Sequence, residues 1–199
     1  MTKKTNSTAM KVGILSLALL TIPQSILNPA LPAIQAAFPD VPSSLIQLLS
    51  TIPSLCGVIF SPVYGKLAEK TTRKKILTVA VVLIVVGGVL PAFVDNFTLF
   101  LVLRFVMGIG VGLVTPAAVD LIIVFFEGST RQTMMGWNQA AASIGGVMFQ
   151  MIGGYFAGID WRYACIATVI CALFYLIAFI FLPEPEKKAN IEFEHQRAS

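Results

Sequence analysis

Apolar residues come in six long runs, at about 12–36, 44–66, 75–94, 97–122, 133–157 and 161–182, with short polar connections between them. A helix needs about 20 apolar residues to cross the hydrocarbon core of a bilayer. Each run meets that length, so the pattern predicts an all-α membrane protein of six transmembrane helices. The first run follows Lys3, Lys4 and Lys11 and opens like a secretory leader, but it stays apolar to Ala37, which is long enough to span. From Pro183 onward the chain turns polar and charged (Glu184, Glu186, Lys187, Lys188, Glu192, Glu194), which predicts a solvated, disordered tail over 183–199 behind a six-span unit over 1–182.

Charge placement adds an orientation. With the N-terminus inside, the inner segments carry Lys3, Lys4, Lys11, Lys66, Lys70, Arg73, Lys74, Lys75, Arg131, Lys187, Lys188 and Arg197, whereas the outer side carries only Arg162 among acidic turns at Asp40, Asp95 and Asp160. The positive-inside rule then predicts both termini in the cytoplasm. Composition agrees: 56% of the residues are hydrophobic and 12% charged, about half the charged share of a soluble domain. The net charge of +4 sits beside apolar runs, so it points to orientation and lipid contact, not to nucleic acid. Cys56, Cys165 and Cys171 lie inside apolar runs without metal-ligand spacing, and the single histidine, His195, lies in the tail. No metal or cofactor is indicated.

A weak internal repeat appears at an offset of 89 residues, where Gly57-Val58-Ile59-Phe60 matches Gly146-Val147-Met148-Phe149. Gly65 then matches Gly154, Ala68 matches Ala157 and Arg73 matches Arg162. Three spans separate the copies, so they have opposite topology, which predicts an inverted three-plus-three repeat.

The connection after the second run reads Gly65-Lys66-Leu67-Ala68-Glu69-Lys70-Thr71-Thr72-Arg73-Lys74-Lys75. This resembles the loop G-x-L-A-D-R-x-G-R-K/R of the major facilitator superfamily, with Glu69 at the aspartate and Thr72 at the second glycine. The fourth run carries Arg104-Phe105-Val106-Met107-Gly108-Ile109-Gly110, similar to the family's R-x-x-Q-G-x-G with Met107 at the glutamine, and the sixth opens with Trp161-Arg162. The resemblance covers the whole chain. It implies half of a major facilitator-type fold, the N-terminal six-helix half, in which Gly65, Leu67, Glu69, Lys70, Arg73 and Lys74 form a clamp between the two halves of a carrier. In physical terms Gly65 allows close helix approach, and Glu69 suits the positive N-terminal end of a neighbouring helix.

Two charges lie inside the apolar runs. Arg104 sits about two turns into the fourth run and either snorkels outward or, as the resemblance implies, faces the bundle. Asp120 is near the other end of that run, about 24 Å away, too far to pair with Arg104. The resemblance suggests Arg73 as its partner, with an exposed or snorkelling acid as the alternative. Gln24, Ser25 and Asn28 in the first run and Asn138, Gln139 and Ser143 in the fifth either bind a ligand or bond between helices. A cavity of Gln24, Asn28, Arg104, Thr115, Asn138 and Gln139 is the candidate for substrate contact.

The resemblance leans toward the drug/proton antiporter branch. Gly145, Gly153 and Gly154 fit its G-x-x-x-G-P-x-x-G-G stretch, whereas Phe149 and Gln150 replace its Gly-Pro, and the first run lacks the acid that many proton-coupled relatives have. Enzyme and channel readings find little. There is no membrane histidine to serve an intramembrane serine nucleophile, and one arginine is not a voltage-sensing ladder. The expected function is transport of a small solute by alternating access in the cell membrane, against a second six-helix half or in a parallel homodimer. A truncated, inactive product or a structural membrane subunit is the alternative.

Overall fold

The computed structural model describes residues 8–19 and 22–181, and every regular element among them is helical. The expected tail over 183–199 and the cations Lys3, Lys4, Lys187, Lys188 and Arg197 lie outside the described residues. The helices are α1 (Thr8–Leu19), α2 (Leu31–Ala37), α3 (Ser43–Lys70), α4 (Arg73–Val89), α5 (Phe97–Phe125), α6 (Gly128–Ala157), α7 (Trp161–Ile166) and α8 (Ile170–Phe181). Three 3-10 segments join them: Pro23–Ala30, Leu90–Phe93 and Ala167–Val169.

Four elements are long and apolar enough to cross a membrane: α3, α4 with its following 3-10 turn, α5 and α6. They correspond to the second to fifth predicted spans. The first predicted span is not one continuous α-helix. Pro23, Pro29 and Pro32 remove backbone donors, and the chain answers with a 3-10 segment between α1 and α2. The sixth is likewise composite, α7 and α8 meeting at the 3-10 turn around Thr168. The connection between the second and third runs is shorter than the sequence suggests. Helix α3 continues through its basic end to Lys70 and α4 begins at Arg73, so only Thr71 and Thr72 form the turn.

Local chemistry sets the helix starts. The Asn96 side chain accepts from the Leu99 N–H at 3.2 Å and caps α5. The Asp160 carboxylate accepts from the Arg162 N–H at 2.9 Å and caps α7. Gly128 opens α6 with φ of 55°, a left-handed conformation that disfavours other residues.

Helix α5 is the centre of the bundle. Phe100, Arg104, Met107, Val111, Val114, Ala117 and Leu121 are buried at spacings of three and four, one helical face. Its glycines admit both neighbours at backbone distance. A methyl on Gly108 would lie 2.6 Å from the Cys56 Cβ and 2.8 Å from the Pro53 Cα of α3, and one on Gly110 would lie 2.5 Å from the Ala80 carbonyl oxygen of α4. Such small-residue contacts are how helices pack where lipid is as apolar as a side chain. On α6, a methyl on Gly145 would meet Leu19 and Ile22, and one on Gly153 would meet the Ile26 carbonyl, so these glycines serve packing against the first predicted span. Other faces of α3 and α6 expose Leu55, Val58 and Ile59, and Ile144, Val147 and Met151, as a lipid-facing or partner-facing surface requires.

Candidate functional site

At the end of the bundle that carries the Thr71–Thr72 turn, three helices meet in a polar cluster. Arg73, the first residue of α4, donates from Nε to the Asp120 Oδ2 of α5 at 2.6 Å, with a longer contact from Nη2 to Oδ1 at 3.5 Å. The Tyr64 hydroxyl of α3 donates to the same Oδ2 at 2.8 Å. The ion pair is mostly withdrawn from solvent, with side-chain exposures of 10% for Arg73 and 29% for Asp120. A carboxylate holding a guanidinium and a phenol fixes three helix ends relative to one another. Asp120 thus meets Arg73 and not Arg104, and the exposed-acid alternative is set aside.

The rest of the predicted clamp divides in two. Leu67 packs against the core, and the Lys74 ammonium lies 4.8 Å from the Phe179 ring centroid of α8. Gly65, Lys66, Glu69 and Lys70 are exposed. A Cβ on Gly65 would meet nothing within 4 Å, so no helix among the described residues makes the close approach expected there. Glu69 makes no hydrogen bond or ion pair among the described residues either. Arg131, one of the expected inner cations, closes α5: it donates to the carbonyls of Phe126 at 2.8 Å and Ile123 at 3.1 Å, two of the acceptors a helix end leaves open.

Arg104 is fully buried, which removes the snorkelling alternative. Its Nε donates to the Leu49 carbonyl at 3.0 Å, its Nη2 to the Gln24 carbonyl at 3.2 Å and its Nη1 to the Met107 sulfur at 2.9 Å. The Leu49 carbonyl is the one whose α-helical donor would sit four residues on, at Pro53, which has no N–H. Arg104 therefore supplies the donor that α3 lacks and ties it to the 3-10 segment of the first span. Sequence reasoning missed this role, although its signal was present: a proline inside a span leaves one carbonyl in need of a donor from elsewhere.

In front of Arg104 lies a strip of uncharged polar groups. The Ser50 hydroxyl donates to the Asn28 Oδ1 at 2.6 Å and the Ser54 hydroxyl approaches the Gln24 Oε1 at 3.4 Å, so two amides of one segment face two hydroxyls of α3. Of the six cavity candidates, Gln24 and Asn28 share this strip while Arg104 is sealed behind it. The Thr115 hydroxyl is committed to its own helix, donating to the Val111 carbonyl at 2.9 Å. Asn138 keeps a buried Oδ1 without a partner among the described residues, and Gln139 is exposed. No bond among the described residues joins these last three to the strip.

At the opposite end, Arg162 of α7 donates to the Asp95 carboxylate at 2.5 Å and to the Ala92 carbonyl at 3.4 Å. Its guanidinium carbon lies 5.3 Å from the centroid of the Trp161 ring.

Long apolar helices knitted by glycines, with a buried arginine and polar clusters toward both ends, define the helical bundle of a membrane protein. The chain belongs to the Major Facilitator Superfamily, whose sequence profile matches residues 13–199. It is 25% identical over 150 residues to the quinolone resistance protein NorA of Staphylococcus aureus, a match covering 75% of this chain and 39% of that one. It is 28% identical over 167 residues to protein spinster homolog 1 of Xenopus laevis, covering 81% and 31%. Its fold is similar to that of the inward-open xylose transporter XylE from E. coli, with a TM-score of 0.75 at 19% identity over 89% of this chain and 49% of that one. The human organic anion transporter MFSD10 gives a TM-score of 0.69 at 20% identity, covering 90% and 49%. The chain thus spans two fifths or less of these curated relatives and about half of these solved structures.

Proposed function

We propose that this chain is the N-terminal six-helix half of a major facilitator-type efflux carrier of the cell membrane, moving a small solute by alternating access against a second six-helix unit. The observation that carries the reading is the division of the 65–75 segment. Tyr64, Arg73 and Asp120 lock it to the bundle, while Gly65, Lys66, Glu69 and Lys70 stay on the surface for a partner. The inverted three-plus-three repeat gains support from Arg73 and Arg162. They are related by the 89-residue offset, start helices toward opposite ends and each pair with an aspartate. In this reading the Arg73 end and both termini are cytoplasmic, and antiport drives the efflux. The partner is a separate second half or another copy in a parallel homodimer, and the polar groups at Gln24, Asn28, Asn138 and Gln139 line this half of the cavity.

The likeness to a quinolone resistance protein supplies the probe. The full chain is expressed in a bacterium lacking its own efflux pumps, and accumulation of a fluorescent quinolone is measured. Accumulation should fall, and Glu69→Gln should reverse the fall without lowering the amount of protein in the membrane. Cysteines at 69 and 130 should cross-link two copies if the partner is a second copy. Unchanged accumulation with the chain in the membrane, both alone and co-expressed with the second half of a family member, would refute the efflux reading.

A further inference from the structure

The polar strip has a chemical character that narrows what it can hold. Ser50 lies about 10 Å and Ser54 about 16 Å along α3 from its Ser43 end, at the depth of a bilayer's hydrocarbon if α3 spans it. Polar groups at that depth face a cavity or other protein, because lipid cannot satisfy them. Asn28 and Ser54 are exposed, and Gln24 and Ser50 are half-buried behind them. Each amide oxygen is engaged by a serine hydroxyl, which leaves the –NH2 of each amide as a donor toward the open side.

No charge accompanies these donors. Between the two ends of the bundle, Arg104 is the only charged side chain among the described residues. Its relative exposure is 0%, and each of its three nitrogens donates inward, to the Leu49 and Gln24 carbonyls and the Met107 sulfur. The cation stands directly behind the strip yet is withheld from it. It holds the backbone of Gln24 against α3 and so orients the amides without meeting what they bind.

We infer that this strip is the ligand-reading surface of the half and that it takes an uncharged amphipathic molecule through the ligand's carbonyl and hydroxyl oxygens, with Arg104 as a positioning residue. The inference rests on the carrier reading above and adds the ligand class to it. An organic cation finds no carboxylate on the strip to offset its desolvation, an organic anion finds no accessible guanidinium, and an amphoteric quinolone is taken only as its uncharged tautomer.

The experiment is equilibrium binding to the full chain in lipid nanodiscs with three radiolabelled probes: chloramphenicol (an uncharged amide diol), tetraphenylphosphonium (a permanent cation) and salicylate (an anion). Chloramphenicol should bind saturably, and neither ion should bind or compete. Asn28→Leu and Gln24→Leu should each weaken chloramphenicol binding roughly tenfold, the loss expected for a buried hydrogen-bonding group. Asn28→Asp keeps the side chain's shape, removes the donors and adds a charge. It should weaken chloramphenicol and create saturable tetraphenylphosphonium binding, a gain that a misfolded variant cannot give. Arg104→Lys should weaken chloramphenicol, and Pro53→Ala in the same chain should recover part of the loss by restoring a backbone donor to Leu49. Saturable binding of either ion to the unmodified chain, or indifference of chloramphenicol to both leucine variants, would overturn the neutral-ligand inference and leave the carrier reading standing. Failure of all three probes to bind the folded chain would overturn the inference and count against the carrier reading as well.

Discussion

Two arginines begin helices toward opposite ends of this bundle, each paired with an aspartate, yet the pairs are built differently. Arg73 and Asp120 sit between packed helices and share their carboxylate with Tyr64, at side-chain exposures of 10% and 29%. Arg162 and Asp95 sit at the rim, at 40% and 84%. The first pair joins α4 to α5 and, through Tyr64, to α3. The second ties the start of α7 to the short loop before α5. Exposed pairs contribute little because water and salt screen them, whereas a withdrawn pair leaves a costly orphan when one member is removed. The same residue pairing thus makes a lock at one end and a loose tether at the other. Arg104 is a third case, with neither solvent nor carboxylate: its partners are two backbone carbonyls and a sulfur.

The contrast can be broken most severely at Asp120. Asp120→Ala removes the acceptor that Arg73 and Tyr64 share and should cost about 2–4 kcal/mol of stability, read as a lowered unfolding midpoint in mild detergent. Exchanging the two residues (Arg73→Asp with Asp120→Arg) should recover part of that loss. Arg104→Leu should cost about 1–3 kcal/mol by stranding the Leu49 and Gln24 carbonyls. In a Pro53→Ala background that cost should shrink, because the backbone N–H regained at position 53 can serve Leu49, and a double-mutant cycle measures the coupling. Tyr64→Phe removes one hydrogen bond and spares the ion pair, for about 1 kcal/mol. Asp95→Asn is the mildest, at about 0–1 kcal/mol, and its effect should fade as salt is raised while that of Asp120→Ala persists. Equal sensitivity of the two aspartates to substitution and to salt would erase the distinction.

Much of this was legible in the chain. The long apolar helices followed from run length, while the Arg73–Asp120 contact was one of two readings of Asp120 that the family likeness and its place near the end of its run left open. The burial of Arg104 followed from the likeness of the fourth run, since position alone allowed snorkelling. What escaped was of another kind. Run length reports how much chain a bilayer can cover but not whether it is one helix, so the 3-10 break between α1 and α2 was not anticipated despite Pro23, Pro29 and Pro32. Hydropathy also ended α3 at position 66, whereas the helix runs on to Lys70, because charged side chains leave the bilayer without leaving the helix. Tyr64 and Met107 became partners only when three helices were set side by side. Gly65, a point of close helix approach in the clamp reading, faces open space among the described residues.

The glycines of α5 have a mechanical consequence. At Gly110 the obstacle to an added methyl is the Ala80 carbonyl, and at Gly108 the Pro53 Cα is among the nearest atoms. At these two points the helices meet close to backbone on backbone, with little side chain between them to absorb a displacement by changing rotamer. Helices α3, α4 and α5 should consequently transmit force as one stiff strut. A push on the surface of the 65–75 segment should then be carried toward the far rim, where the exposed tether between Arg162 and Asp95 is placed to give.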